Sequence, residues 1–186
     1  MNPIPALLAA VLLGAPAAPA PAPTDAEVRA HAEALLGAID RPVPAARWKA
    51  LGPRAVDVLA EVAASPDRMP SQRSQALGAL AQVDAARAVP IARSVADSDE
   101  APLSTRETAV RVLGRTLSPA ALRSAVAPLL RAAPDATLRA VAAETLARHA
   151  PDLSCAEVMD QVSLEPVGDR PAFERAARLC NGTPGR

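Results

Sequence analysis

RETAVRVLG, residues 106–114, has an echo on either side of it. Arg106, Ala109 and Leu113 stand at offsets 0, 3 and 7. Arg73, Ala76 and Leu80 keep those offsets upstream, and Arg139, Ala142 and Leu146 keep them downstream. The step is 33 residues both times (106 − 73 and 139 − 106). Positions i, i+3 and i+7 fall on one face of an α-helix, so each copy predicts a helix that buries this stripe. A preceding helix in each unit keeps the step through Val56, Val89, Leu122 and Cys155. One helical pair cannot cover both of its apolar sides, whereas stacking several pairs buries a continuous layer between neighbours.

The punctuation of the chain agrees with helices. Thr24-Asp-Ala-Glu27 is a capping-box pattern and predicts a helix from there to about Ile39. Gly52-Pro53 and Ser118-Pro119 break and restart the chain, because proline fits the first helical turn, where its missing N–H is not needed. Ser154-Cys-Ala-Glu157 reads as a second capping box, placing Cys155 at the N1 position of the last pair's first helix. Strand-like alternation and β-branched or aromatic enrichment are absent. Hydrophobic residues make up 50% of the chain and aromatic ones 1%. A core must therefore be built mainly from Ala, Leu and Val, small side chains that favour close helix-to-helix contact.

At the ends the pattern changes. Pro44, Arg47 and Leu51 keep the 0, 3, 7 spacing without the leading Arg and the alanine, and Phe173, Ala176 and Cys180 keep it with an aromatic in front. Atypical terminal units are what a stack needs, since a cap must not invite another layer. The reading is an all-α protein of about five helical pairs over residues 24–182, with 183–186 as a tail.

Three stretches resemble HEAT repeats. LRSAVAPLLRAAPDATLRAVAAETLARHA (122–150) has a first helix with Pro128, a turn containing Asp135, and Arg139 opening an Ala-rich second helix. VPIARSVADSDEAPLSTRETAVRVLGR (89–115) is similar, with Pro90, the turn acids Asp97 and Asp99, and Arg106; LGPRAVDVLAEVAASPDRMPSQRSQALGAL (51–80) is a third. The resemblance implies a right-handed α-solenoid of antiparallel hairpins. It also implies that Arg73, Arg106 and Arg139 pair with acids of the turns.

The first 23 residues differ from the rest. IPALLAAVLLGA (4–15) is a short apolar run followed by Ala/Pro-rich sequence, the layout of a secretory signal peptide and too short to span a bilayer. Ala15-Pro16-Ala17 offers a cleavage site, which makes residues 1–17 the signal and 18–23 a linker. An uncleaved tail or membrane anchor is the competing reading, because no Lys or Arg precedes the run. Export leads to a periplasmic or secreted protein, where Cys155 and Cys180, at the meeting ends of the terminal hairpin, can form a disulfide. Two buried thiols are the alternative.

Chemistry-bearing motifs are sparse. Twenty Lys+Arg balance twenty Asp+Glu, which removes the electrostatic case for nucleic acid or an anionic membrane surface. There is no HExxH, no Cys/His metal spacing, no GxSxG and no Gly-rich phosphate loop, so no catalytic, metal or cofactor residue is assigned. His31 and His149 read as surface or capping residues, and Asn181-Gly-Thr183, formally a glycosylation sequon, reads better as a helix cap at Asn181-Gly182. What remains is a surface. Second helices line the concave side in HEAT-like stacks, and offsets +5 and +9 from the repeating Arg point outward. These are Gly78, Arg111 and Glu144, then Gln82, Arg115 and Arg148. Arg111, Arg115, Glu144 and Arg148 are the candidate partner-binding residues, suited to an acidic peptide or protein loop through forked hydrogen bonds; an ordinary solvated face is the other reading.

Three functions fit these features. The first is a non-enzymatic protein-binding scaffold of the bacterial cell envelope, monomeric and free of cofactors. The second is an enzyme of the lyase or glycosylase type that some HEAT-like proteins are, although the aromatic base-handling residues and basic groove of the glycosylases are missing. The third is a purely structural accessory domain.

Overall fold

The computed structural model describes residues 23–38 and 43–182. The expected signal segment 1–17, nearly all of the linker, Ile39 and the tail 183–186 lie outside the described residues. Within them all regular structure is helical: α1 (Asp25–Gly37), α2 (Ala45–Ala50), α3 (Pro53–Ala64), α4 (Pro70–Val83), α5 (Ala85–Asp97), α6 (Leu103–Thr116), α7 (Pro119–Ala132), α8 (Ala136–His149), α9 (Pro151–Leu164) and α10 (Arg170–Asn181).

Local chemistry sets the helix starts. The Thr24 hydroxyl accepts the Glu27 N–H at 3.3 Å and the Glu27 carboxylate accepts the Thr24 N–H at 2.7 Å, completing the expected capping box. Proline opens α3, α4, α7 and α9. Gly52, just before Pro53, has φ of 80°, a conformation that L side chains rarely adopt. Asp135 caps α8 by accepting the N–H groups of Thr137 and Leu138 at 2.8 and 3.1 Å.

The helices pack as a series of neighbours. α3 pairs with α4, α5 with α6, α7 with α8 and α9 with α10. The second helices α2, α4, α6, α8 and α10 pack one on the next, while on the other side α1 packs on α3, α3 on α5 and α7 on α9. α1 and α2 lie mainly against α3 and α4 rather than forming a hairpin of their own. One hydrophobic core runs through the whole series from Ala32 to Ala176. Among the described residues no helix is long and apolar enough to cross a membrane.

The second-helix stripe is buried as expected. Ala76, Leu80, Ala109, Leu113, Ala142 and Leu146 are all buried, with Leu77, Val110 and Ala143 beside them. Arg73 and Arg106 are buried too, through hydrogen bonds described below.

The first-helix stripe is shifted. Of the four expected residues only Leu122 is buried, whereas Val56, Val89 and Cys155 are half-buried. The buried row runs one residue earlier in the other helices, through Ala55, Ala88 and Ser154. The cause is a linker length. Asp84 alone joins α4 to α5 and Ala150 alone joins α8 to α9, but Leu117 and Ser118 both stand between α6 and α7. The extra residue turns α7 by one position, and the short linker from Ala133 to Asp135 brings α8 back into step.

Three further expectations are corrected. The capping box at Ser154 does not form: Pro151 starts α9 four residues earlier, so Ser154 is buried inside the helix and Cys155 is its fifth residue rather than its first. In α2 the buried residue is Trp48, with Pro44 and Arg47 exposed, because the large indole takes the core side of this short helix. Gly182 does follow α10 as its cap, but with φ of −86° it uses no left-handed turn.

Cys155 and Cys180 are joined by a disulfide with a Cα–Cα distance of 5.4 Å. The early part of α9 is thereby tied to the end of α10, the antiparallel juxtaposition expected of this pair.

Candidate functional site

The site begins with a glycine. α6 and α8 meet so closely at Gly114 that a Cβ placed there would lie 2.5 Å from Thr145 Cγ2 and 2.9 Å from His149 Cδ2. The helix surfaces on either side of this contact form the walls of a cavity of about 200 Å³ lined by Arg111, Arg115, Val141, Glu144, Thr145, Arg148 and His149. All four candidate binding residues are brought together there. Gly78 and Gln82, their equivalents on α4, are not part of it, and Gln82 donates to the Gly78 carbonyl at 3.2 Å.

The charges of this cavity are unevenly matched. Arg111 donates to Glu107 at 3.2 Å and Arg148 to Glu144 at 2.5 Å, both one turn along the same helix. Arg175 approaches Glu144 from α10 at 3.3 Å. Arg115 has no hydrogen bond or ion pair among the described residues. Four guanidinium groups therefore face two carboxylates. Exposed pairs of this kind contribute little to folding and are readily exchanged for a ligand carboxylate. Burial, followed by the positive charges of Arg148 and Arg115, holds the His149 imidazole below its usual pKa. Near neutral pH it is therefore a neutral polar group among cations.

His149, Thr145, Val141, Arg175 and Gly114 were missed by sequence reasoning. The 33-residue step identifies equivalent positions but not the neighbours that two adjacent units contribute to one cavity. Gly114 carried a usable signal: it follows the stripe residue Leu113 directly, a position where helix propensity alone disfavours glycine.

The repeating arginines are structural, each in a different way. Arg106 donates Nε–H to the Ala96 carbonyl at 3.1 Å and pairs with Asp99 at 3.0 Å, the turn acid of its own unit. Arg139 reaches forward instead, making a forked pair with Glu165 at 2.7 and 2.6 Å while also donating to the carbonyls of Ala133 and Pro134. Asp135 is occupied in capping α8 and is not its partner. Arg73 donates Nε–H to the Ala63 carbonyl at 3.5 Å and has no ion pair among the described residues. His31 is exposed on α1, far along the series from His149.

Among the described residues no group of three or more His, Cys, Asp or Glu side chains is placed to hold a metal ion. Comparison with protein-family models, with curated proteins and with solved structures finds no match to this chain.

Proposed function

We propose that this chain is an exported, monomeric, non-enzymatic scaffold of the bacterial cell envelope, a right-handed HEAT-type α-solenoid that binds an acidic segment of a partner protein across α6 and α8. The observation that carries the reading is the convergence of Arg111, Arg115 and Arg148 on one cavity with Arg115 unpaired. Carboxylates on a peptide side chain can receive forked hydrogen bonds from these groups without dismantling the core. The disulfide between Cys155 and Cys180 supports an oxidising compartment, periplasmic or extracellular. The three units with buried Ala and Leu stripes support the solenoid.

The test compares partner capture by the full chain, by Arg111→Ser/Arg115→Ser/Arg148→Ser, and by a control with Arg87, Arg93 and Arg123 changed to Ser. Envelope extract supplies the partner. The triple variant loses the partner while its melting changes by less than about 1 kcal/mol in stability. The control surface carries its own ion pairs, Arg87 with Asp57 and Arg123 with Glu157, so it is an equally charged but opposite face. Loss in the control and retention in the triple variant would place recognition on the first helices and end this proposal.

A further inference from the structure

Arg73 has the place on α4 that Arg106 has on α6, but not its acid. Thirty-three residues before Asp99, the partner of Arg106, stands Pro66 (99 − 33). Arg73 keeps only the carbonyl contact, from Nε to Ala63, and its two Nη groups meet no acceptor among the described residues. The residue is nevertheless only 6% exposed. A guanidinium carries five N–H donors, and four of those of Arg73 have no protein partner among the described residues; its Nη groups are not among the fully buried unpaired polar atoms and keep contact with the adjoining cavity. Neighbouring acids do not pair with it: Asp99 is engaged by Arg106, and neither Glu100 nor Asp67, the acid of its own turn, forms an ion pair among the described residues.

This arginine lines a cavity of about 430 Å³ between the end of α3, α5 and the approach to α6. The walls are mainly apolar, from Pro66, Pro90, Ile91 and Val95, with the exposed Glu100 at the rim. Such a volume falls within the range of small-ligand sites, as does the combination of apolar walls with a few placed polar groups. We infer that the cavity binds a single carboxylate carried on a short apolar body. The Arg73 Nη groups receive the carboxylate where Arg106 receives Asp99, and Ile91, Val95 and the two prolines cover the apolar part. Glu100 repels a second negative charge, which selects monocarboxylates over dicarboxylates. A free short-chain acid and the C-terminal residue of a peptide share this chemistry. The site is separate from the arginine row on α6 and α8, so either can fail without the other.

Calorimetric titration of the full chain at millimolar ligand tests this. The probes are hexanoate, hexanamide, adipate, N-acetyl-leucine and N-acetyl-leucinamide. At least one of the two monocarboxylates binds about tenfold or more tighter than its amide, the difference expected for hydrogen bonds to a charged group. Hexanoate alone identifies a free acid as the ligand source; N-acetyl-leucine identifies a chain terminus. Adipate binds about tenfold more weakly than hexanoate if hexanoate is the ligand. Arg73→Gln removes the preference for acid over amide. Because that variant also disturbs a buried group, Ile91→Trp is the second arm: it fills the cavity and leaves Arg73 in place, and it abolishes binding with the helical circular dichroism retained. Absence of binding by both acids, equal binding of acid and amide, or binding that survives Ile91→Trp overturns the inference.

Discussion

Gly114 on α6 lies directly beneath His149 on α8, with room for a hydrogen but not for a methyl group. A Cβ at 114 would stand 2.9 Å from His149 Cδ2 and 2.5 Å from Thr145 Cγ2. Thr145 is buried and has little freedom to withdraw. Gly114→Ala therefore forces the two helices apart or turns both side chains. Overpacking of this kind costs about 1 to 3 kcal/mol, and the better helix propensity of alanine returns up to about 1 kcal/mol. The expected result is a net loss of roughly 1 to 2 kcal/mol in chemical denaturation, whereas Gly78→Ala, with nothing near its Cβ, is neutral or stabilising.

The stripes of the second helices α4, α6 and α8 were legible in the sequence, whereas those of α2 and of the first helices were not. Ala and Leu at offsets 3 and 7 each have a fixed place in the packing, so their burial followed the step of 33, whereas Arg139 at offset 0 is only half-buried. The first helices tolerate a turn of one position, because Leu117 and Ser118 take up the slack and alanine can occupy either register. Ser154 shows a second limit. Its capping-box pattern is real as a pattern, but Pro151 offers an equally good start one turn earlier, and burying α9 against the core settles between them. The arginine row was legible as a row, while its depth, and the neutral histidine within it, depend on a contact between units that no single unit encodes.

Glu165 connects the third arginine to the C-terminal cap. It is almost fully buried at the end of α9 and accepts a forked pair of hydrogen bonds from Arg139, with a third from Gln161 at 2.8 Å. The Arg139 hydrogen bonds hold its carboxyl below the ordinary value of 4.5, against the opposing effect of burial. A carboxyl depressed in the folded state contributes stability that is complete above its unfolded value and is lost as pH falls through the folded one. Glu165→Ala costs roughly 3 kcal/mol, at the low end for a buried pair because Arg139 keeps the carbonyls of Ala133 and Pro134. Denaturation at pH 7 and at pH 3 checks both parts: the difference between wild type and variant is large at the first and shrinks at the second.

The disulfide closes a separation of 25 residues around the last hairpin. Loop-closure entropy for that length corresponds to about 3.5 kcal/mol. Cys155→Ser/Cys180→Ser lowers the melting temperature, and reductant lowers that of the wild type toward the same value while leaving the variant unchanged. Phe173 and Ala176 remain as apolar anchors of α10 on α8, so hydrogen exchange rises first in α9 and α10 and α4 to α6 stay protected. Uniform exchange along the whole chain would show that the C-terminal hairpin does not open on its own.

The lowered pKa of His149 predicts that acidic-peptide binding at the arginine cavity depends on pH. Burial, with Arg148 and Arg115 nearby, keeps the His149 imidazole neutral below the ordinary value of 6.5. For a base depressed in this way the unfolded chain binds the proton more readily. Its contribution to folding is therefore complete above 6.5 and falls as pH drops through the lower folded value. Ligand binding responds with the opposite sign. An acidic peptide brought against His149 favours the imidazolium, so binding takes up a proton and tightens as pH is lowered toward 5. Carboxylates of the peptide itself titrate lower, near about 4, and do not mask the change in that window. The measurement is the affinity of the full chain for a fluorescent oligo-glutamate peptide at pH 7.5, 6.5 and 5.5 at constant ionic strength. Wild type gains affinity on acidification and His149→Gln does not, while Arg111→Ser/Arg115→Ser/Arg148→Ser binds weakly at every pH. Equal pH dependence in wild type and His149→Gln would mean that the peptide does not contact His149 and rests on the arginines alone.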